Sequence, residues 1–169
     1  MERKIYTSRF SNPELKTGKY TVCGIVRGMP KFPLGYAVDG NIIQIAPPGY
    51  LFNVYDRAVF TPRYFEHMDR QHFGVIQAYL REYLDRGKNL VLCCYEDVRI
   101  PDEWCHRLVF AEWYEKKTGI RIEELPDPSV PKIPKGKVQR ERKKEALKEK
   151  EPEKPEFEQI SLFSLGMLT

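Results

Sequence analysis

The run Lys88-Asn89-Leu90-Val91-Leu92-Cys93-Cys94-Tyr95 limits the fold more than any other stretch of this chain. Successive side chains of a strand point to opposite faces, so a run that is apolar at both parities needs cover on both sides. Such a strand belongs in the middle of a sheet. Helical patterns flank it. Val75, Tyr79, Leu80, Tyr83 and Leu84 recur at helical spacing between about Gly74 and Arg86 and stop at Gly87, while Trp104, Leu108, Phe110, Ala111 and Trp113 mark a second helix. That second helix is predicted to open at Pro101-Asp102-Glu103 and to end near Thr118-Gly119. A shorter one is predicted from Pro62 to about Met68, with Thr61 as its cap. Further strands are expected at Lys4–Ser8, at Tyr20–Val26, at Asn41–Ala46 and, on an edge, at Ile120–Leu125. Strands alternating with helices predict an α/β fold, a mostly parallel open sheet with flanking helices.

This reading covers only part of the 169 residues. From Pro126 to Glu158 apolar residues almost vanish, and a composition of Pro, Lys, Arg and Glu cannot offset its ordering entropy by burial. The expected organisation is a domain over 1–125, a charged linker over 126–157 that is disordered or partly helical, and a tail over 158–169. With 28 basic and 24 acidic side chains the net charge is +4, too small for the global field alone to hold nucleic acid. Lys135, Lys137, Arg140, Arg142, Lys143 and Lys144 form a local basic run, read either as weak phosphate contacts or as a solvated linker. The four cysteines lack the spacing of a disulfide framework, which points to a reducing cytoplasm, and no apolar stretch is long enough to span a membrane.

Beyond the linker stands Gln159-Ile160-Ser161-Leu162-Phe163. It resembles the short peptide with which bacterial replication and repair proteins hold the sliding clamp, whose consensus is Gln, Leu, Ser or Asp, Leu, Phe; Ile160 alone departs, and conservatively. The resemblance implies the sliding clamp as partner and DNA replication or repair, in a bacterium or its phage, as the setting. Leu162 and Phe163 are the expected anchors, each worth roughly 1.5–3 kcal/mol on burial, and Gln159 supplies a two-way hydrogen-bonding head. Affinity on the order of micromolar is expected. As a coil the 126–157 linker spans roughly 30 Å, enough to keep the domain concentrated near the ring. The alternative is a tail that folds back as a small amphipathic helix or last strand.

A second resemblance covers most of residues 3–125. Ile5-Tyr6-Thr7-Ser8-Arg9-Phe10, Val26-Arg27-Gly28-Met29-Pro30-Lys31-Phe32, Leu92-Cys93-Cys94-Tyr95-Glu96 and Cys105-His106-Arg107-Leu108-Val109-Phe110-Ala111-Glu112-Trp113 resemble the family catalogued as domain of unknown function 488. The resemblance implies a fold class and no established reaction. Asp97-Val98-Arg99-Ile100-Pro101 is a longer loop than that pattern has.

In an open α/β sheet, ligands bind beyond the carboxyl ends of the strands, where the next helix start offers amides to an anion. Ser8, Arg9, Arg27, Gly28 and Arg107 are therefore the expected phosphate-binding groups for a nucleotide or nucleic-acid end. Glu96 is the expected acceptor for a ribose or base, His106 the proton carrier and Cys105 a thiolate nucleophile. The competing reading makes Cys94 and Cys105 small apolar groups where strand meets helix, with His106 bonded to a backbone carbonyl. A metal set of Cys94, Cys105 and His106, with Cys93 or Glu96 as fourth ligand, is disfavoured because strand neighbours point apart and helix neighbours diverge by about 100°. No metal is expected, and the sequence demands no cofactor. Tyr50, Phe52, Tyr55 and Phe60 are read as base-stacking or as loop and core aromatics. Whether the domain is catalytic stays open: a competitor that merely occupies the clamp, and a free nucleotide-processing enzyme with an incidental tail, fit the same residues.

Overall fold

A computed structural model describes residues 3–133. The 134–157 part of the predicted linker and the clamp-type peptide Gln159–Phe163 lie outside the described residues. Five strands form one all-parallel sheet: β1 (Ile5–Arg9), β2 (Tyr20–Gly24), β3 (Gly40–Asn41), β4 (Asn89–Cys94) and β5 (Glu123–Glu124), in the order β3-β2-β4-β1-β5. Three helices complete it: α1 (Arg57–Arg70), α2 (Phe73–Leu84) and α3 (His106–Thr118). The fold is α/β, as the alternation of strands and helices implies.

β4 is the central strand, and its two parities serve two different cores. Leu90 and Leu92 pack with Tyr64, Met68, Ile76, Leu80, Phe110 and Trp113 of the helices. Val91 and Cys93 face Phe10, Leu15 and Val22, with Leu34 and Tyr36 closing that side. The α-helices thus cover one face, while loop and 3₁₀ segments cover the other. Because all strands run the same way, their carboxyl ends meet at one edge, where Arg9 is paired with Cys94 and Cys93 with Gly24.

Three element boundaries differ from the sequence expectation, each for a local reason. The strand expected at Asn41–Ala46 stops after Asn41; Ile42, Ile45 and Ala46 are buried from a turn, in which Ile45 N–H donates to the Ile42 carbonyl. α1 begins at Arg57, not Pro62, since the Asp56 carboxylate accepts from the Ala58 and Val59 amides. Its buried face, Phe60, Tyr64 and Met68, runs straight through Pro62 at i, i+4 spacing. Most consequential for the site, α3 begins at His106 and not at Pro101. Asp102 adopts φ +62°, a left-handed conformation that a helix cannot contain, and Cys105 is extended at φ −141°, ψ 150°. The helix ends where expected, on left-handed Gly119.

The chain also stays on the domain as far as Ser129. Arg9 donates from Nε to Asp127 at 2.7 Å and from Nη2 to Ser129 Oγ at 2.7 Å, and Arg99 Nη1 donates to the Asp127 carbonyl at 3.0 Å. Burial works against the charge on Asp127, but the bonds from Ser129 and Arg9 hold its carboxyl below the usual carboxylate range. A depressed folded-state pKa adds stability above the unfolded value of about 3.9, and that contribution disappears as pH falls through the folded value. Asp127→Asn is accordingly expected to cost about 1.5–3 kcal/mol at pH 7. In paired denaturation curves the gap to the native protein narrows as pH falls below the unfolded carboxyl value of about 3.9 and through the lower folded one; a gap independent of pH would refute the ion-pair origin. Among the described residues no helix is long and apolar enough to cross a membrane.

Candidate functional site

At the carboxyl edge of the sheet, four side chains from two elements and the loop between them converge. Cys94 is the last residue of β4, Glu96 follows it in the loop, Cys105 is the extended residue that caps α3, and His106 is the first residue of that helix. Glu96 Oε2 lies 2.8 Å from Cys105 Sγ and 3.1 Å from Cys94 Sγ. His106 Nδ1 stands 3.6 Å from each sulfur. The other ring nitrogen, Nε2, is 2.8 Å from the carbonyl oxygen of Ile25, just beyond β2. A carbonyl only accepts, so Nε2 carries a proton and donates it. The ring is thereby held with Nδ1 aimed at the sulfur pair.

The electrostatics of the four groups are interdependent. Burial opposes ionisation of the Cys105 thiol, but hydrogen bonds from Cys94 and His106, with the positive charges of His106 and Arg107, hold it well below the usual thiol range. Burial likewise pulls the His106 imidazole down, and its bond to Cys105 and the charge there raise it overall. Cys94 moves the opposite way, lifted first by its bond to Cys105 and then by burial. Burial and the Cys105 charge raise Glu96. Cys105 is thus driven toward its charged form and Cys94 away from it. Cys94 and Cys105 are only 3% and 2% exposed, so a substrate has no direct route to either sulfur.

Arg107 sets the frame around this cluster. It is completely buried, donates from Nε and Nη2 to the Glu124 carboxylate at 2.8–3.3 Å, and gives Nη1 to the Glu96 carbonyl at 2.9 Å. Glu124 also accepts from Thr7 Oγ1 at 2.7 Å. Burial lowers the Arg107 pKa and the Glu124 bond more than reverses it, so the guanidinium is fixed as a cation. One side chain therefore ties α3 to β5, and through β5 to β1, while pinning the backbone of the loop that carries Glu96.

The structure brings together three of the groups expected at a site, Glu96, Cys105 and His106, and adds Cys94. It does not bring the expected phosphate ligands to them as free donors. The Arg107 fork is committed to Glu124, and the Arg9 side chain to Asp127 and Ser129, because each lies opposite a carboxylate that the linear sequence leaves distant. Ser8 is buried and accepts from Asn12 Nδ2 at 2.9 Å. Gly28 is exposed and its carbonyl accepts from the Tyr95 hydroxyl. Arg27 is exposed, donates from Nε to the Pro47 carbonyl at 2.8 Å and lies 6.0 Å from the Phe52 ring centroid. Of the aromatics singled out, Phe60 is core, whereas Tyr50, Phe52 and Tyr55 are 62%, 53% and 80% exposed. A groove of about 910 Å³ lined by Tyr6, Tyr20, Leu108 and Arg121 includes none of the four clustered residues.

Comparison with family models, curated proteins and solved structures finds no match for this chain. Sequence reasoning named Cys94 only as a small apolar group and in a metal set that it disfavoured. The objection to a shared point for Cys105 and His106 rested on both being helical. Cys105 is not, and an extended residue joined to a helical one can turn both side chains the same way.

Proposed function

We propose that this protein is an accessory factor of DNA replication or repair, held at the bacterial sliding clamp by Gln159-Ile160-Ser161-Leu162-Phe163, with its α/β domain working on nucleic acid close to the ring. The pentapeptide carries the reading. Two large apolar anchors, one polar head and a matching register are what a short peptide needs to bind usefully, and this one has all three. The four cysteines described are unpaired, which agrees with a reducing cytoplasm as its place of work.

For the domain, Arg27 beside the exposed Phe52 ring, with exposed Tyr55 three residues further along the chain, is the best candidate contact for single-stranded nucleic acid, since bases stack on such rings. Arg9 and Arg107 are not part of it. On a column of immobilised clamp the intact chain is retained, and Leu162→Ala combined with Phe163→Ala removes retention. Retention of that variant at the native level would sink the reading. In the same preparation, Phe52→Ala with Tyr55→Ala keeps clamp retention and weakens binding of a single-stranded oligonucleotide about tenfold or more; unchanged oligonucleotide binding would remove that surface from the account.

A further inference from the structure

We propose that Cys94, Cys105 and His106 bind a zinc ion, with Glu96 as the fourth ligand. The ligand atoms of the first three all lie within 4.8 Å of one another. Distances make the case sharper. A tetrahedral zinc with sulfur at about 2.3 Å and nitrogen at about 2.0 Å keeps neighbouring S and N donors about 3.5 Å apart. His106 Nδ1 is 3.6 Å from both sulfurs. The ring is also presented correctly, because Nε2 donates to the Ile25 carbonyl at 2.8 Å and leaves Nδ1 as the donor atom facing the sulfurs. Holding the second ring nitrogen in this way is how metal-ligating histidines are oriented.

Glu96 Oε2 reaches the two sulfurs from the loop side but is not among the three donors that lie within 4.8 Å of one another, so it becomes the fourth ligand only by turning toward His106. At 2.8 and 3.1 Å from the two sulfurs it sits at hydrogen-bonding range, whereas oxygen and sulfur on one zinc stand about 3.5 Å apart. The metal-free cluster is thus closed around protons, and an ion entering it displaces the protons shared among these groups while the Glu96 carboxylate swings toward the ion. The Arg107 bond to the Glu96 carbonyl holds the backbone of that ligand while its side chain adjusts. Two sulfurs and an imidazole select a borderline-soft ion, which favours zinc over magnesium or calcium. Burial of both sulfurs fits a closed site that clamps the end of β4 to the start of α3.

The test uses the full chain, stripped of metal by a chelator under reducing conditions and titrated with Co²⁺. A thiolate-to-cobalt charge-transfer band with tetrahedral d–d absorption should rise to saturation at about one ion per chain, and Zn²⁺ should abolish it. Cys105→Ser and His106→Gln should each lose more than the ~100-fold in affinity typical of changes outside the ligand set. Cys93→Ala, outside the group of donors that lie within reach of one ion, should leave the band intact. Glu96→Gln should keep the charge-transfer band and bind more weakly. No charge-transfer band from the folded native chain overturns the proposal, whether or not the ligand variants fold, and so does a band that survives in folded Cys105→Ser. Leu162→Ala with Phe163→Ala should bind cobalt normally, so this proposal and the clamp reading fail separately.

Discussion

Arg107→Met is expected to lower the unfolding free energy by about 3–5 kcal/mol, the range for breaking a buried ion pair by removing one partner. The side chain has no exposed surface and serves three acceptor atoms: both oxygens of Glu124 and the carbonyl of Glu96. Methionine fills much of the volume and serves none of them. The Glu124 side chain is 31% exposed, so water relieves part of its lost pairing, which sets the expectation at the lower end of that range. Adding Glu124→Gln removes the uncompensated charge yet keeps an acceptor for Thr7, and should recover much of the loss. The measurement is the denaturant midpoint at an unchanged slope. A cost below about 1 kcal/mol would show that the pair contributes little beyond geometry.

Trp113→Ala should cost about 3–5 kcal/mol through the cavity it leaves. Trp113 is 1% exposed, with its ring centroid 5.7 Å from Phe73 at the start of α2 and 5.8 Å from Phe110 on its own helix. Its indole Nε1 donates to Asp69 Oδ1 of α1 at 2.8 Å, so this side chain joins all three helices. Trp113→Phe separates the two contributions, because it retains most of the packing and gives up only the Asp69 bond. Asp69 is half exposed and keeps Lys117 as a partner at 2.7 Å, which limits that second loss to about 1 kcal/mol. Equal costs for the two variants would mean that the hydrogen bond, and not the packed volume, secures the helices to one another.

The same pair of residues separates what could be read along the chain from what could not. Trp113 is visible as part of an apolar helical pattern, and it is buried as that pattern requires. Arg107 sits between Cys105-His106 and Leu108 in a stretch that reads as a charged group at a helix start, open to an anion. Nothing in its neighbours announces Glu124, which reaches it only because β5 pairs with β1 and α3 crosses the same region. Arg9 was misread in the same way, since its partners Asp127 and Ser129 arrive from the far end of the domain.

Local pattern was therefore sufficient for β4, for the helical segments and for the α/β class, because period and apolar content are properties of a few consecutive residues. It was sufficient too for nominating Glu96, Cys105 and His106. The turn at Ile42–Ala46, the true start of α3 and the meeting of Cys94 with the other three depended on contacts between distant segments. A single backbone conformation, extended Cys105 ahead of helical His106, turns two side chains that a continuous helix would splay apart toward one point. That conformation follows the left-handed turn at Asp102, and no apolar period along the chain signals either, because both are set by single backbone dihedrals and not by a repeating pattern.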